Sequence, residues 1–282
     1  MTALPDLQAR AAFFAAVRHN PFPGALTAGQ VSGMEAILDA CPPDTPLDHL
    51  GYCLGTCPIE TAWTMLPIKE RGGTAYLAKM YDIRGDRPAK ARELGNVNPG
   101  DGVAFAGRGY VQLTGRSNYR RATQRLRALG LIGADQDLET NPDLALHPDV
   151  AAAILFVGTR EGWFTGKKLS DYLGNGKADW TGARRIINGQ DRAGEIALHA
   201  QAFAAALTKA GYASGAAVTR IPVPPVETGP APPVFAPAPR NGGSPVAPAP
   251  PQASIGGVAA PPEPGGLIAF LRRTFGPYKK AS

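Results

Sequence analysis

Up to about residue 210, apolar residues recur mainly at intervals of three and four, the spacing that lines one side of a helix. Leu7, Phe13, Phe14 and Val17 give an apolar side to LQARAAFFAAVRH, which Asp6 can cap. Val31, Met34, Ile37 and Leu38 do the same in AGQVSGMEAILDA, behind Thr27. Asp48 opens HLGYCLGTC, a third predicted helix that stops before Pro58, since proline withholds an amide and crowds the preceding turn. Asp149 begins VAAAILFVGTREGWF, apolar enough for a central buried helix, and TGARRIIN and AGEIALHAQAFAAALTKA supply the last two. Between Gly72 and Gly107 the period is lost among Gly, Arg, Asp and Pro, and ELGNVNPGDGVAF carries turn chemistry throughout. A hairpin or a long functional loop is expected there. The pattern as a whole predicts a mainly α fold with a small hairpin or long-loop region.

Composition changes near Ser214. Fifteen of the 44 residues from 221 to 264 are proline, which removes amide donors and fixes φ. Three parts are expected: a folded domain over 1–214, a disordered Pro/Ala/Gly-rich linker over 215–264, and a short basic amphipathic segment over 265–282. The charge follows this division. Of the formal +6, +4 lies in 265–282 and −1 in 221–264, leaving +3 for the first 220 residues. The body therefore carries no nucleic-acid stripe, while the basic tail could lie on an anionic envelope surface. MTALPDLQARAAFF has no basic stretch followed by a long apolar core, which predicts synthesis in the cytoplasm without a secretory signal. Cys41, Cys53 and Cys57 are too few for a disulfide framework and lack a histidine-rich partner motif, so buried thiols are expected and no metal or other cofactor. His19, His49, His147 and His199 are scattered, without ligand spacing.

GRGYVQLTGRSNY, Gly107 to Tyr119, is too polar for a buried strand and too glycine-rich for a comfortable helix. Gln112 and Asn118 each offer a donor pair and an acceptor, and Thr114 a hydroxyl, groups that match sugar hydroxyls and acetamides. Arg108, Arg116, Arg120 and Arg121 keep a phosphate ligand open, and a structural loop is the third reading. Tyr110 and Tyr119 could stack on sugar rings or pack inward. Sugar chemistry needs two carboxyl groups. Glu60 stands among Ile59, Ala62 and Trp63, apolar neighbours expected to raise its pKa as an acid catalyst requires. Glu70 is flanked by Lys69 and Arg71, expected to keep it ionised as a base.

These motifs resemble glycoside hydrolase family 19, the chitinases and related phage endolysins. GRGYVQLTGRSNY looks like the family's sugar-binding signature, IETAWTM its acid-bearing segment and KERGG its second glutamate segment. AAAILFVGTREGWF looks like its second signature helix, and RRIINGQDRAGEIALHAQAF its closing Asn-Gly segment. The similarity runs from about Leu26 to Leu207 and is closer to the endolysins, on the LTAGQVSGMEAIL opening. The resemblance implies a lysozyme-like, bilobal helical fold and hydrolysis of a β-1,4 bond beside an N-acetylated sugar, with inversion. It implies Glu60 as acid, Glu70 as base, Thr114 as a holder of the attacking water, and Gln112, Asn118 and Asn188 as sugar ligands. Ile59 stands where the family usually has His, Pro58 precedes it, and INGQ replaces INGG. The expected partner is peptidoglycan or chitin, met by a monomer at the cell wall after its release from the cytoplasm. An endolysin-type wall glycosidase leads, a chitinase is the alternative, and a non-catalytic wall-binding or virion structural protein is the alternative outside enzymology.

Overall fold

The computed structural model describes residues 7–212, with side chains from residue 9. The predicted cap at Asp6, the linker and the basic segment lie outside the described residues. In chain order the elements are α1 (Leu7–Val17), α2 (Ala28–Asp39), α3 (Leu47–Glu60), β1 (Ile68–Lys69), α4 (Thr74–Tyr81), α5 (Pro88–Glu93), α6 (Asp101–Ala104), β2 (Arg108–Gly109), α7 (Arg116–Ala128), α8 (Pro148–Glu161), β3 (Leu173–Gly174), β4 (Lys177–Ala178) and α9 (Ala193–Lys209). Short 3-10 turns cover Pro142–Leu146, Leu169–Asp171 and Gly182–Ile186. The described fold is mainly α.

Thr27 caps α2 as the sequence predicts. Its hydroxyl accepts from the Gln30 amide (3.2 Å), and the Gln30 side chain accepts from the Thr27 amide (2.9 Å). The apolar periodicity is also realised. Phe13 and Val17 of α1, Met34 and Ile37 of α2, Leu50 and Leu54 of α3, Ile154 and Leu155 of α8, and Phe203 and Leu207 of α9 all belong to one buried cluster. Phe203 packs on Phe13 and Phe22, with ring centroids 6.2 Å away in both cases.

α3 and α9 form the closest helix pair. A Cβ added to Gly55 would stand 2.4 Å from Ala200 Cα, and one added to Gly51 would stand 2.9 Å from Ala204 Cβ. Small residues four apart on both helices let the backbones meet along this seam.

Three expectations need correction. TGARRIIN makes a 3-10 turn over Gly182–Ile186 and no α-helix. α3 does not stop before Pro58 but runs to Glu60. Its end is secured by Thr61, whose hydroxyl donates to Cys57 O (2.7 Å), and by the Trp63 amide, which donates to Pro58 O (2.7 Å). A proline this close to the end withholds one amide without stopping the helix. Nor is the stretch from Gly72 to Gly107 a hairpin or one long loop. It carries α4, α5 and α6, and β1 and β2 close its base through the antiparallel pairs Ile68↔Gly109 and Lys69↔Arg108. The glycines that suggested turns do make them, at the junctions between these short helices. The hairpin lies elsewhere: β3 and β4 pair across Asn175 (φ 52°) and Gly176 (φ 81°), positive at both central positions as a type I′ turn requires.

Replacing Gly55 by alanine puts a methyl into the backbone of α9, where no flexible side chain can give way. Chemical denaturation should show a loss of about 3 kcal/mol for G55A, the upper end of ordinary overpacking.

Candidate active site

The polar stretch after Gly107 folds as a tight turn followed by a helix start. Arg108 and Leu113 exchange backbone bonds (3.2 and 2.9 Å), Gln112 takes φ 53° within the turn, and α7 begins at Arg116. This geometry gathers side chains from distant parts of the chain. Gln112 Nε2 donates to Ile68 O and Gly109 O, both at 3.0 Å, which fixes the amide and leaves its Oε1 facing Gly107. Thr114 Oγ1 donates to Gln112 O (2.8 Å), and Asn118 Nδ2 donates to Thr114 O (2.7 Å).

Glu70 completes the group. Its Oε1 accepts from the Tyr81 hydroxyl (2.9 Å) and its Oε2 from the Gly107 amide (3.2 Å). A Cβ built on Gly107 would stand 2.9 Å from Gln112 Oε1, 3.1 Å from Glu70 Oε2 and 3.2 Å from Thr114 Oγ1. Three oxygen atoms thus converge in front of one glycine, and all can accept a hydrogen bond, since the threonine proton is already directed elsewhere.

Glu60 and Asn188 sit in a second group. Glu60 Oε1 accepts from Arg184 Nη1 at 2.5 Å, with 6% of the glutamate side chain and 3% of the arginine side chain exposed. Arg184 Nε also donates to Asp191 O (3.1 Å), and the Asn188 amide donates to Arg184 O (3.1 Å). Asn188 Oδ1 accepts from the Gly189 amide (2.9 Å). Removing one partner of such a pair strands a buried charge at a cost of about 3–5 kcal/mol, so Arg184 and Glu60 belong to the fold as well as to the site. Between the two groups runs a strained turn. Ala62 (φ 51°), Trp63 (66°) and Met65 (58°) are left-handed, at about 1–2 kcal/mol each. The turn is held by Gln30 Nε2 on Trp63 O (2.9 Å) and by the Met65 amide on Thr61 Oγ1 (3.1 Å).

The surroundings of the two glutamates differ from those their sequence neighbours suggest. The Glu60 carboxyl group is buried against a guanidinium supplied from far along the chain. The neighbours of Glu70 lie on extended backbone, where side chains alternate; Lys69 and Arg71 are exposed while Glu70 is half-buried. Burial raises the pKa of Glu70, and the bonds from Tyr81 and the Gly107 amide oppose that rise without cancelling it.

The remaining candidates resolve against phosphate and against stacking. Arg108 bonds to Asp143 (2.7 Å), Arg116 to Asp101 and Glu139, Arg120 to Glu139 (2.7 Å), and Arg121 to Trp163 O (3.2 Å). Arg120 and Arg116 together hold the Glu139 carboxyl down to about 2. Arg108, Arg116 and Arg120, engaged on carboxylates, offer no open fork to a phosphate, whereas Arg121 is exposed with one bond to a carbonyl. Tyr110 and Tyr119 are fully buried and pack inward. Trp63 meets Phe22 and His199 edge-on, with centroids 5.4 and 5.0 Å away. The three cysteines are buried and unpaired, and burial pushes the Cys53 thiol up to about 12.

Sequence reasoning missed Arg184 and Tyr81. Arg184 opens the RRIINGQ segment but reaches Glu60 across 124 residues, and Tyr81 stands 11 residues beyond Glu70 in a stretch read as loop. Compared with models of known protein families and with curated proteins, the chain matches none.

Gly107 has no left-handed φ, so alanine is compatible with its backbone, but its methyl would press on the three oxygens and displace the Gln112 amide. If these oxygens serve the chemistry, G107A should lower turnover at least a hundredfold, a larger loss than its drop in melting temperature accounts for. Steady-state rates beside circular-dichroism melts check this.

Proposed function

We propose that this chain is an inverting glycosidase of the endolysin type, cutting β-1,4 bonds in the glycan strands of peptidoglycan. The observation that carries the reading is the convergence of Glu70 Oε2, Gln112 Oε1 and Thr114 Oγ1 before Gly107. A water held against these oxygens on their solvent side would give its protons to acceptors, one of them a carboxylate, which is what activating a nucleophile requires. The resemblance to glycoside hydrolase family 19 implies Glu70 as base and Thr114 as holder of the water; it implies Gln112 as a sugar ligand, whereas here its amide oxygen stands with the other two.

On this reading the water oxygen attacks the anomeric carbon from one face and passes a proton to Glu70 Oε2. The bond from that carbon to the leaving oxygen breaks, and the oxygen takes its proton from Glu60. With Oε1 on Arg184, Oε2 of Glu60 carries and delivers the proton, and the guanidinium neutralises the carboxylate left behind. Asn118 and Asn188 bind the flanking sugars. Since the base must be ionised to work and burial raises its pKa, activity falls on the acid side at a pH above the ordinary glutamate value.

One observation favours a second reading, a non-catalytic wall-binding protein that retains the cleft residues. Glu60 is nearly enclosed and tied to Arg184, and an acid catalyst needs one oxygen open to the substrate.

Purified sacculi and chitin oligomers, digested in parallel with the wild-type chain and with E60Q and E70Q, separate these readings. The wild-type chain should solubilise sacculi, with mass spectrometry of the new reducing ends naming the bond. Each variant should lose at least a hundredfold in rate with its thermal melt checked. Products from chitin oligomers alone would make the chain a chitinase. Binding to sacculi without release of fragments would favour the non-catalytic reading.

A further inference from the structure

We propose that Tyr81 is a positioning residue that aims the Glu70 carboxyl group at the space before Gly107, an inference that rests on Glu70 being the base. A carboxyl group on a flexible glutamate side chain can turn either oxygen toward a substrate. Here two donors from different elements fix it: the Tyr81 hydroxyl, at the end of α4, holds Oε1 (2.9 Å), and the Gly107 amide meets Oε2 (3.2 Å). With Oε1 occupied, Oε2 is the oxygen that joins Gln112 Oε1 and Thr114 Oγ1.

The tyrosine is itself firmly placed. Its side chain is buried, and its carbonyl accepts from Asn96 Nδ2 (3.0 Å). Asn96 is wholly buried, and its Oδ1 accepts from the Arg116 amide (2.9 Å), two residues past Thr114. A single side-chain amide therefore ties the segment that orients the carboxyl group to the segment that carries the threonine. Gly102 closes the arrangement from the side: a Cβ there would stand 2.6 Å from the Tyr81 carbonyl carbon.

The groups around the carboxyl are few. Lys69 and Arg71 flank Glu70 and are exposed. Tyr76 and Tyr81 come from α4, the charge of Arg87 reaches Tyr81, and Tyr119 of α7 senses Glu70. Among them Tyr81 makes the side-chain hydrogen bond that favours the ionised form, against the burial that opposes it. Removing its hydroxyl leaves burial less opposed, so the carboxylate then forms only at higher pH.

The test is Tyr81→Phe, which keeps the ring. With sacculi as substrate, turnover should fall about tenfold with KM within about twofold, and the acid limb of the rate profile should move to higher pH. The thermal melt checks the fold. An unmoved limb overturns the inference, whether the rate is that of the wild-type chain or reduced together with the melting temperature. Should Y81F fail to fold, 3,5-difluorotyrosine at position 81 retains the ring and strengthens the donor, so the limb must move the other way. No movement again overturns it. Active wild-type chain with inactive E70Q and unaffected Y81F removes Tyr81 alone. A wild-type chain that cuts no glycan removes the reading of Glu70 and this inference with it.

Discussion

The seam between α3 and α9 is the constraint on which the rest of the fold depends. Gly51 and Gly55 meet Ala200 and Ala204 at a separation that admits no further carbon atom. Because this contact is backbone against backbone, it fixes the height of α3 along α9, and with it the position of Glu60 at the end of α3. The same device recurs at smaller scale, at Gly33 and Gly107 among other places. Gly33 in α2 lies so close to Met65 O that a Cβ would stand 1.7 Å away, which pins the strained turn after Glu60. Gly107 gives up its side-chain volume to three oxygens. In each place a missing carbon lets two parts of the chain approach, and at Gly107 the atoms that approach are polar.

The two glutamates have unlike surroundings, but not in the sense their neighbours in sequence suggest. Glu60 faces a buried guanidinium, and Glu70 faces a tyrosine hydroxyl and a backbone amide. In the proposed hydrolysis the guanidinium meets the anion that remains once Glu60 has given its proton away, and Glu70 takes a proton from water at a pH raised by its own burial. The bond from Tyr81 opposes that rise.

Much of the helical framework was legible in the chain because periodicity and caps are local. Thr27 with Gln30, the apolar run after Asp149 and the alanine-rich closing helix all lie where their spacing puts them. The site was legible in part. Gln112, Thr114 and Asn118 could be grouped because one short turn holds them, and Glu70 could be associated with them by type. The pairings that tune the glutamates were not, since Arg184 lies 124 residues from Glu60 and Tyr81 belongs to a helix in a stretch read as loop. Charge neighbours along the chain misled for a simple reason: on extended backbone the residues beside a glutamate point away from it. The Asn175-Gly176 dipeptide, by contrast, was a local signal for the β3–β4 hairpin, masked by the shortness of its flanking strands.

The account centres on a water activated before Gly107 and attacking the sugar directly, with no bond formed between sugar and protein. The anomeric form of the first product tests this most directly. Proton NMR spectra, collected within the first minutes of cleavage of a soluble β-1,4 glycan, should show the α-anomer at the new reducing end, with the β-anomer appearing later by mutarotation. A β-anomer formed first would mean retention through a covalent intermediate and would contradict the account.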